Sequence, residues 1–155
     1  MSNLLLSNIP KAEAREKIML FEEKLGQLPD ARFGDNAAPL KHTFADGMYI
    51  REIFMPKGML LTSKIHKKLH PYFVLQGDVS VMTDDGIIRI KAPYWGMTTP
   101  GTKRILYIHE DTVWVTVHAT KSKNLKTIEK KIIAKTFEEV PQINKEEYLR
   151  IKEAV

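Results

Sequence analysis

Apolar and polar positions change period twice along this chain. Over residues 11 to 27 apolar side chains return every three or four positions, at Ala14, Ile18, Phe21 and Leu25, while Glu13, Lys17, Glu22 and Lys24 fall on other faces. That spacing predicts an amphipathic helix, punctuated by Pro10 near its start and Gly26 near its end. Residues 28 to 40 hold two prolines, a glycine and small polar residues, and read as a connecting loop. Beyond His42 the period falls to two. After an Asp46-Gly47 turn, Tyr49, Arg51, Ile53 and Met55 oppose Ile50, Glu52 and Phe54. The segments MLLTSKIH, PYFVLQ, DVSVMT, IIRIK, RILYIH and TVWVTVH are short and rich in β-branched and aromatic residues, with turn signals at PKG, QGD, TDDG, KAP, TPGT and HED. Many short strands at close intervals predict a mainly β protein, an antiparallel sandwich or barrel. After Thr120 helical spacing returns, with Leu125, Ile128, Ile132 and Ile133 on one side, and a further short helix is expected over Glu146 to Ala154.

With 155 residues the chain fits one domain with terminal extensions. The division expected is a helix and loop over 1–40, a β-barrel over 41–120, and a basic helical extension over 121–155. No cysteine is present, so disulfides and thiolate ligands are excluded, and any metal site must draw on His, Asp, Glu or water. The opening MSNLLLSNIP lacks the charged and apolar regions of a signal peptide, and no apolar run reaches transmembrane length, so a soluble cytoplasmic protein without membrane contact is expected. The net charge of +5 is concentrated at Lys121, Lys123, Lys126, Lys130, Lys131 and Lys135. Nucleic acid is one partner such charge allows, but no aromatic residues interleave these lysines as a stacking surface requires, and a solvated helix face is the favoured reading.

Candidate chemistry gathers in GMLLTSKIHKKLHPYFVLQG, Gly58 to Gly77. In one extended strand Lys64, His66, Lys68 and His70 would share a face, and two imidazoles on one face of a sheet are potential metal ligands. The segment resembles the first motif of the cupin superfamily: Gly58 and Gly77 match its glycines, His66 its second histidine, Lys64 replaces the first histidine and His70 takes the glutamate position. A second block, TTPGTKRILYI, is similar to the second cupin motif at Gly101, with Thr99 where the proline belongs, Arg104 at the histidine position and Ile108 at the asparagine position. The likeness covers about residues 40 to 120 and is also similar to stand-alone cupins associated with bacteriophages. It implies a jelly-roll barrel with an N-terminal helix and C-terminal helices, a homo-oligomer, and a location in host cytoplasm or virion if phage-encoded.

A cupin normally holds its metal with three histidines and a glutamate directed into the barrel, and this chain departs from that set at Lys64 and Arg104. His118 offers a repair, giving a site of His66, His70 and His118 for one divalent ion such as Zn, Fe, Mn or Ni. Strand parity leaves its direction open, since Trp114, Thr116 and His118 share one face and Val113, Val115 and Val117 the other. Lys64 and Arg104 in turn suggest a cup for a small anionic ligand. His42 and His109 adjoin turns and read as exposed or capping residues, and His109-Glu110-Asp111 as a solvated hairpin turn. Tyr72, Tyr94, Trp95, Tyr107 and Trp114 read as core at strand spacing. No nucleophile elbow, phosphate loop or His-Glu-x-x-His helix is present, so no nucleotide cofactor is indicated. Three functions follow: a metal-binding cupin, with catalysis undetermined; a non-enzymatic phage structural or accessory scaffold; or an isomerase- or epimerase-like cupin in which His66 or His70 serves as base and Arg104 and Lys64 hold an anionic sugar or keto acid.

Overall fold

The computed structural model describes residues 10–34 and 37–140. Helix α1 spans Lys11–Gly26, followed by strands β1 (Leu40–Ala45), β2 (Met48–Met55), β3 (Leu60–Thr62), β4 (Ile65–His66), β5 (His70–Thr83), β6 (Gly86–Lys91), β7 (Tyr94–Thr98) and β8 (Ile105–Ala119). Helix α2 (Leu125–Ile132), a short β9 (Ile133–Ala134) and a 3-10 turn at Phe137–Glu139 complete it. The mainly antiparallel β architecture with flanking helices expected from the sequence is the one observed. The helix expected over Glu146 to Ala154 lies outside the described residues.

All pairings in the main sheet are antiparallel, in the order β1-β2-β8-β5-β6, with β3 added to β8 and β7 to β5. Two strands are far longer than the short segments anticipated. β5 runs straight through Gln76-Gly77-Asp78 and β8 through His109-Glu110-Asp111, so neither stretch is a turn. The two irregular stretches lie opposite one another, with Gln76 facing Val113 and Asp78 facing Glu110 across register shifts. Turn-type residues here serve a bulge, which bends a pair of strands without ending them. Gly77 is required at the bend: its φ is +112°, and a Cβ there would lie 2.2 Å from Thr112 Oγ1 and 2.7 Å from Thr112 Cα.

The bend divides each long strand. The first half of β5 pairs with β7 and the second half of β8, while its second half pairs with β6 and the first half of β8. Inward side chains from these halves and from β2 build the main core of Met55, Tyr72, Val74, Val79, Val81, Ile90, Leu106, Ile108 and Trp114. The parity of β8 is thereby decided. Thr112, Trp114, Thr116 and His118 are buried, while Val113, Val115 and Val117 are only partly covered on the outer face.

The helices cover separate flanks. Ala14 and Ile18 of α1 are buried, and Arg15 pairs with Asp84 at 2.7 Å with both side chains nearly inaccessible. Met19 of α1 packs on Ile65, Ala134, Phe137 and Val140. α2 starts at Asn124, whose side chain accepts the Thr127 N–H at 3.0 Å, and buries Ile128 and Ile132 against Tyr49. Ile133, expected on the helix, instead begins β9, because the chain straightens there to pair with Ile65 and His66. Lys121, Lys123, Lys126, Lys130, Lys131 and Lys135 are all exposed.

Candidate functional site

Lys64, His66, Lys68 and His70 do not lie on a single strand. β4 ends at His66, the chain turns through Lys67 to Leu69, and β5 begins at His70. His66 is pinned between the N–H of Gly101, donated to its carbonyl, and the carbonyl of Thr102, which accepts its N–H. Lys67 donates its N–H to Ile132. These bonds stop the ladder and fold the segment back, so the two imidazoles meet across a turn with ring centres 4.9 Å apart. His118, arriving on the inner face of β8, places its ring 4.3 Å from that of His70. The structure therefore gathers all three candidate histidines, although the route differs from strand alternation.

Their nitrogens are differently engaged. His70 Nδ1 is 2.9 Å from the Lys68 carbonyl, which can only accept, so Nδ1 carries the proton and Nε2 presents its lone pair. That Nε2 is buried without a hydrogen-bond partner, and so is His66 Nδ1, although His66 as a whole is only half-buried. Buried polar atoms left unpaired are uncommon and costly, and each calls for an explanation. His118 Nε2 lies 2.9 Å from Thr116 Oγ1, and the ring stacks on Tyr49 at 5.7 Å. As these side chains stand, no three His, Asp or Glu groups among the described residues close around a common metal position. Of His66 Nδ1, His70 Nε2 and His118 Nε2, the last is the one already engaged, by Thr116 Oγ1.

Arg104, whose charge acts on His66 and His70, is 7 % exposed. Its guanidinium donates to Thr98 Oγ1 at 2.8 Å and rests over the rings of Tyr72, at 4.9 Å, and Trp114, at 5.6 Å. Tyr72 and Trp114 are themselves stacked at 4.7 Å. Gly96 makes this floor possible, since a Cβ there would sit 2.7 Å from the Tyr72 hydroxyl. His66, His118, Arg51, Arg104 and Trp114 line a hollow of about 1490 Å³ that extends toward α1 and α2. Lys64 does not join Arg104: it is exposed and ion-paired to Glu129 of α2. The buried lysine of the region is Lys103, held by Glu22 of α1 at 2.6 Å and by the Ser63 carbonyl at 2.7 Å.

Tyr72 and Trp114 are core, whereas Tyr94, Trp95 and Tyr107 are exposed; Trp95 points to the opposite face from Tyr94, whose ring lies 6.1 Å from that of Tyr72. His42 bonds the Tyr49 hydroxyl at 2.7 Å, and His109, inside β8, bonds Ser80 Oγ at 2.7 Å, far from the three-histidine group in the sheet register. Sequence reasoning missed Thr98, Arg51 and Tyr49. Thr98 adjoins the TTPGTKR block, and Arg51 and Tyr49 share the inward phase of β2, which were the available signals.

Burial favours the neutral imidazole at all three positions. Desolvation, then the charges of His70 and Arg104, holds His66 well below the usual value. Burial lowers His70, partly offset by its bond to Lys68. Burial, then His70 and Arg51, pushes His118 down to about 3. Unfolded imidazoles titrate near 6.5, so the stabilising contribution is complete above that pH and is lost as pH falls toward the depressed folded values. Metal-free protein is therefore expected to lose about 2 kcal/mol between pH 7 and pH 5 from His118 alone, at about 1.4 kcal/mol for each unit below 6.5. Urea unfolding at the two pH values measures this, with His118→Gln removing much of the drop. A midpoint independent of pH would contradict it.

No protein-family model and no curated protein sequence matches the chain. Many solved structures do, cupins prominent among them. The cupin domain of Cnp3 from Schizosaccharomyces pombe is 16 % identical with a TM-score of 0.47, covering 68 % of this chain and 72 % of that one. A cupin 2 domain-containing protein from Halorhodospira halophila is 11 % identical, TM-score 0.47, covering 65 % and 80 %. An acetylacetone dioxygenase from Acinetobacter johnsonii is 14 % identical, TM-score 0.45, covering 59 % and 74 %. The chain is thus similar to cupins in fold, and at these levels the likeness assigns neither ligands nor activity. No helix among the described residues is long and apolar enough to cross a membrane.

Proposed function

We propose that this protein is a small cupin-like β-cup that binds one divalent transition-metal ion through His66, His70 and His118. The observation that carries this reading is the pair of buried, unpartnered ring nitrogens, His66 Nδ1 and His70 Nε2, on rings 4.9 Å apart. Metal ligation supplies the partner each nitrogen lacks. The Lys68 carbonyl supports it further, since ligating histidines characteristically donate their other ring N–H to such an acceptor. Neutral imidazoles suit Zn, Fe, Mn or Ni, and bound metal would supply Lewis acidity and open coordination positions at the base of the cup. Metal analysis of purified protein tests it: about one equivalent retained is expected, with about 2.7 kcal/mol of stabilisation at 100-fold the dissociation constant. Retention below about a tenth of an equivalent, with no stabilisation on adding Zn, Fe, Mn or Ni, would remove the reading.

A second reading, a non-enzymatic scaffold assembling with copies of itself, is favoured by one surface. Trp95 and Met97 of β7 are exposed beside Phe73 and Pro71 of β5, an outward apolar strip that a second copy would cover. A monomer by light scattering across micromolar concentrations would count against it.

A further inference from the structure

The cup grips α1 unevenly. Its first half is seated: Ala14, Arg15 and Ile18 are buried, and Met19 packs on Ile65, Ala134, Phe137 and Val140. Residues 20–34, the end of the helix and the loop after it, differ in that none of them is buried. Leu20, Leu28 and Phe33 border the hollow yet remain 48 %, 51 % and 70 % exposed. Among the described residues no backbone hydrogen bond joins this stretch to the strands; the next one that does is donated by the Phe54 N–H to the Pro39 carbonyl, beside the buried Ala38. The stretch folds on itself instead, so closely that a Cβ on Gly26 would lie 3.3 Å from the Phe33 ring. A segment with so few buried apolar contacts belongs to the least stable part of a fold.

One carboxylate fastens it. Glu22 Oε2 accepts from Lys103 Nζ at 2.6 Å and from Thr62 Oγ1 at 2.6 Å. Both donors are fixed. Thr62 ends β3, Lys103 also donates to the Ser63 carbonyl at 2.7 Å, and Ser63 accepts the Arg104 N–H on its hydroxyl at 2.8 Å. The pair is lopsided, since the Lys103 side chain is 5 % exposed and that of Glu22 39 %. Water can take over the carboxylate, whereas the buried ammonium would be left without its counter-ion, and this makes the fastened state the resting one. Lys103 adjoins Arg104, which lines the hollow.

We propose that residues 20–34 form a flap over the hollow, latched by Glu22, and that its release from Lys103 and Thr62 admits small molecules to the wall formed by His66, His118, Arg104 and Trp114. The flap is anchored at Met19 on one side and at Ala38 on the other. Once off the cup, the last turns of α1 are too short to persist as a helix, so each opening bares their amides. Loops that gate enclosed sites move in this manner. Flap and latch act whether or not the histidines hold a metal.

Hydrogen exchange of the full-length chain, resolved by residue, tests this with Lys103→Met, which removes the buried cation and keeps its apolar stem. Amides of residues 20–26 are expected to exchange at least about 10-fold faster, the shift for loss of one charged hydrogen bond, while those of residues 14–18 and of β8 keep the wild-type rate. Access is read from Trp114, made the single tryptophan by Trp95→Phe, whose quenching by acrylamide should rise severalfold when Lys103→Met is added. Glu22→Gln, which leaves an acceptor for Lys103, should move both readings the same way by less, and it carries the test if Lys103→Met does not fold. Rates at residues 20–26 unchanged in both variants overturn the proposal, as does a rise shared equally by residues 14–18 or by β8, which would mean that the helix or the whole fold loosens as one piece. Faster exchange with no added quenching of Trp114 also overturns it, because the flap would then guard nothing.

Discussion

His70→Ala is expected to lower divalent-metal affinity by about 100-fold or more while leaving the metal-free fold close to wild type. His70 is the middle ring of the three, 4.9 Å from His66 and 4.3 Å from His118, so its loss separates the other two. It is also the ring whose tautomer is set, by the Lys68 carbonyl, and outer-shell contacts of that kind alone are worth 10- to 100-fold in metal affinity. The fold tolerates the change because Nε2 has no partner to strand, so truncation removes an unsatisfied group along with the ring's packing. Equilibrium binding of Co²⁺ or Zn²⁺ to the variant measures the effect. His109→Ala is the control: that ring bonds Ser80 in the other half of β8, and its removal should leave metal binding unchanged. Equal affinity in wild type and His70→Ala would show that the imidazole group is structural.

Gly77→Ala is expected to be the most damaging small substitution in the sheet, at about 3 kcal/mol or more. Two costs combine. The backbone has a φ of +112°, a region closed to residues with a Cβ, and the added methyl would press on Thr112, whose own Cα is 2.7 Å away and cannot rotate aside. Thr112 is completely buried, and its hydroxyl is held by the Glu110 carbonyl at 2.7 Å, so relief requires the two long strands to part at their shared bend. Gly34→Ala isolates the first cost, since its φ is +63° with open space around the new methyl, and about 1 kcal/mol is expected there. Chemical denaturation of both variants gives the comparison. A Gly77→Ala loss no larger than that of Gly34→Ala would mean that the bend yields freely.

Much of the fold was legible because alternation survives wherever one face of a strand is buried. Tyr49, Arg51, Ile53 and Met55 do line the hollow, and α1 buries Ala14 and Ile18 of the stripe read from the sequence. Reading failed where one residue type serves two geometries. Gln76-Gly77-Asp78 and His109-Glu110-Asp111 have turn chemistry, yet they pair across strands and bulge, a long-range outcome that local spacing does not encode. The histidines were nameable from motif spacing, but the meeting of His66 and His70 depends on Thr102, Gly101 and Ile132 pinning the turn between them. The direction of His118 was open until Trp114 and Thr116 proved buried beside it. Lys64 and Arg104, equivalent in the motif, separate because Glu129 on α2 captures one while the Tyr72-Trp114 stack shelters the other.

The bulge in β5 also changes which side chains look inward. Before it the even-numbered His70, Tyr72 and Val74 face the interior, and after it the odd-numbered Val79 and Val81 do. The strand therefore behaves as two rulers joined out of step, one graduated for the imidazoles and one for the hydrocarbon interior. Drawing the joint straight at constant length would set both to one graduation, sending Val79 and Val81 to water and bringing Asp78 and Ser80 inside, while the histidine end kept its alignment. Removing one residue as well would return the valines to the interior but abolish the bend, so the extra residue at Gln76–Asp78 and the odd-numbered valines after it are a matched pair.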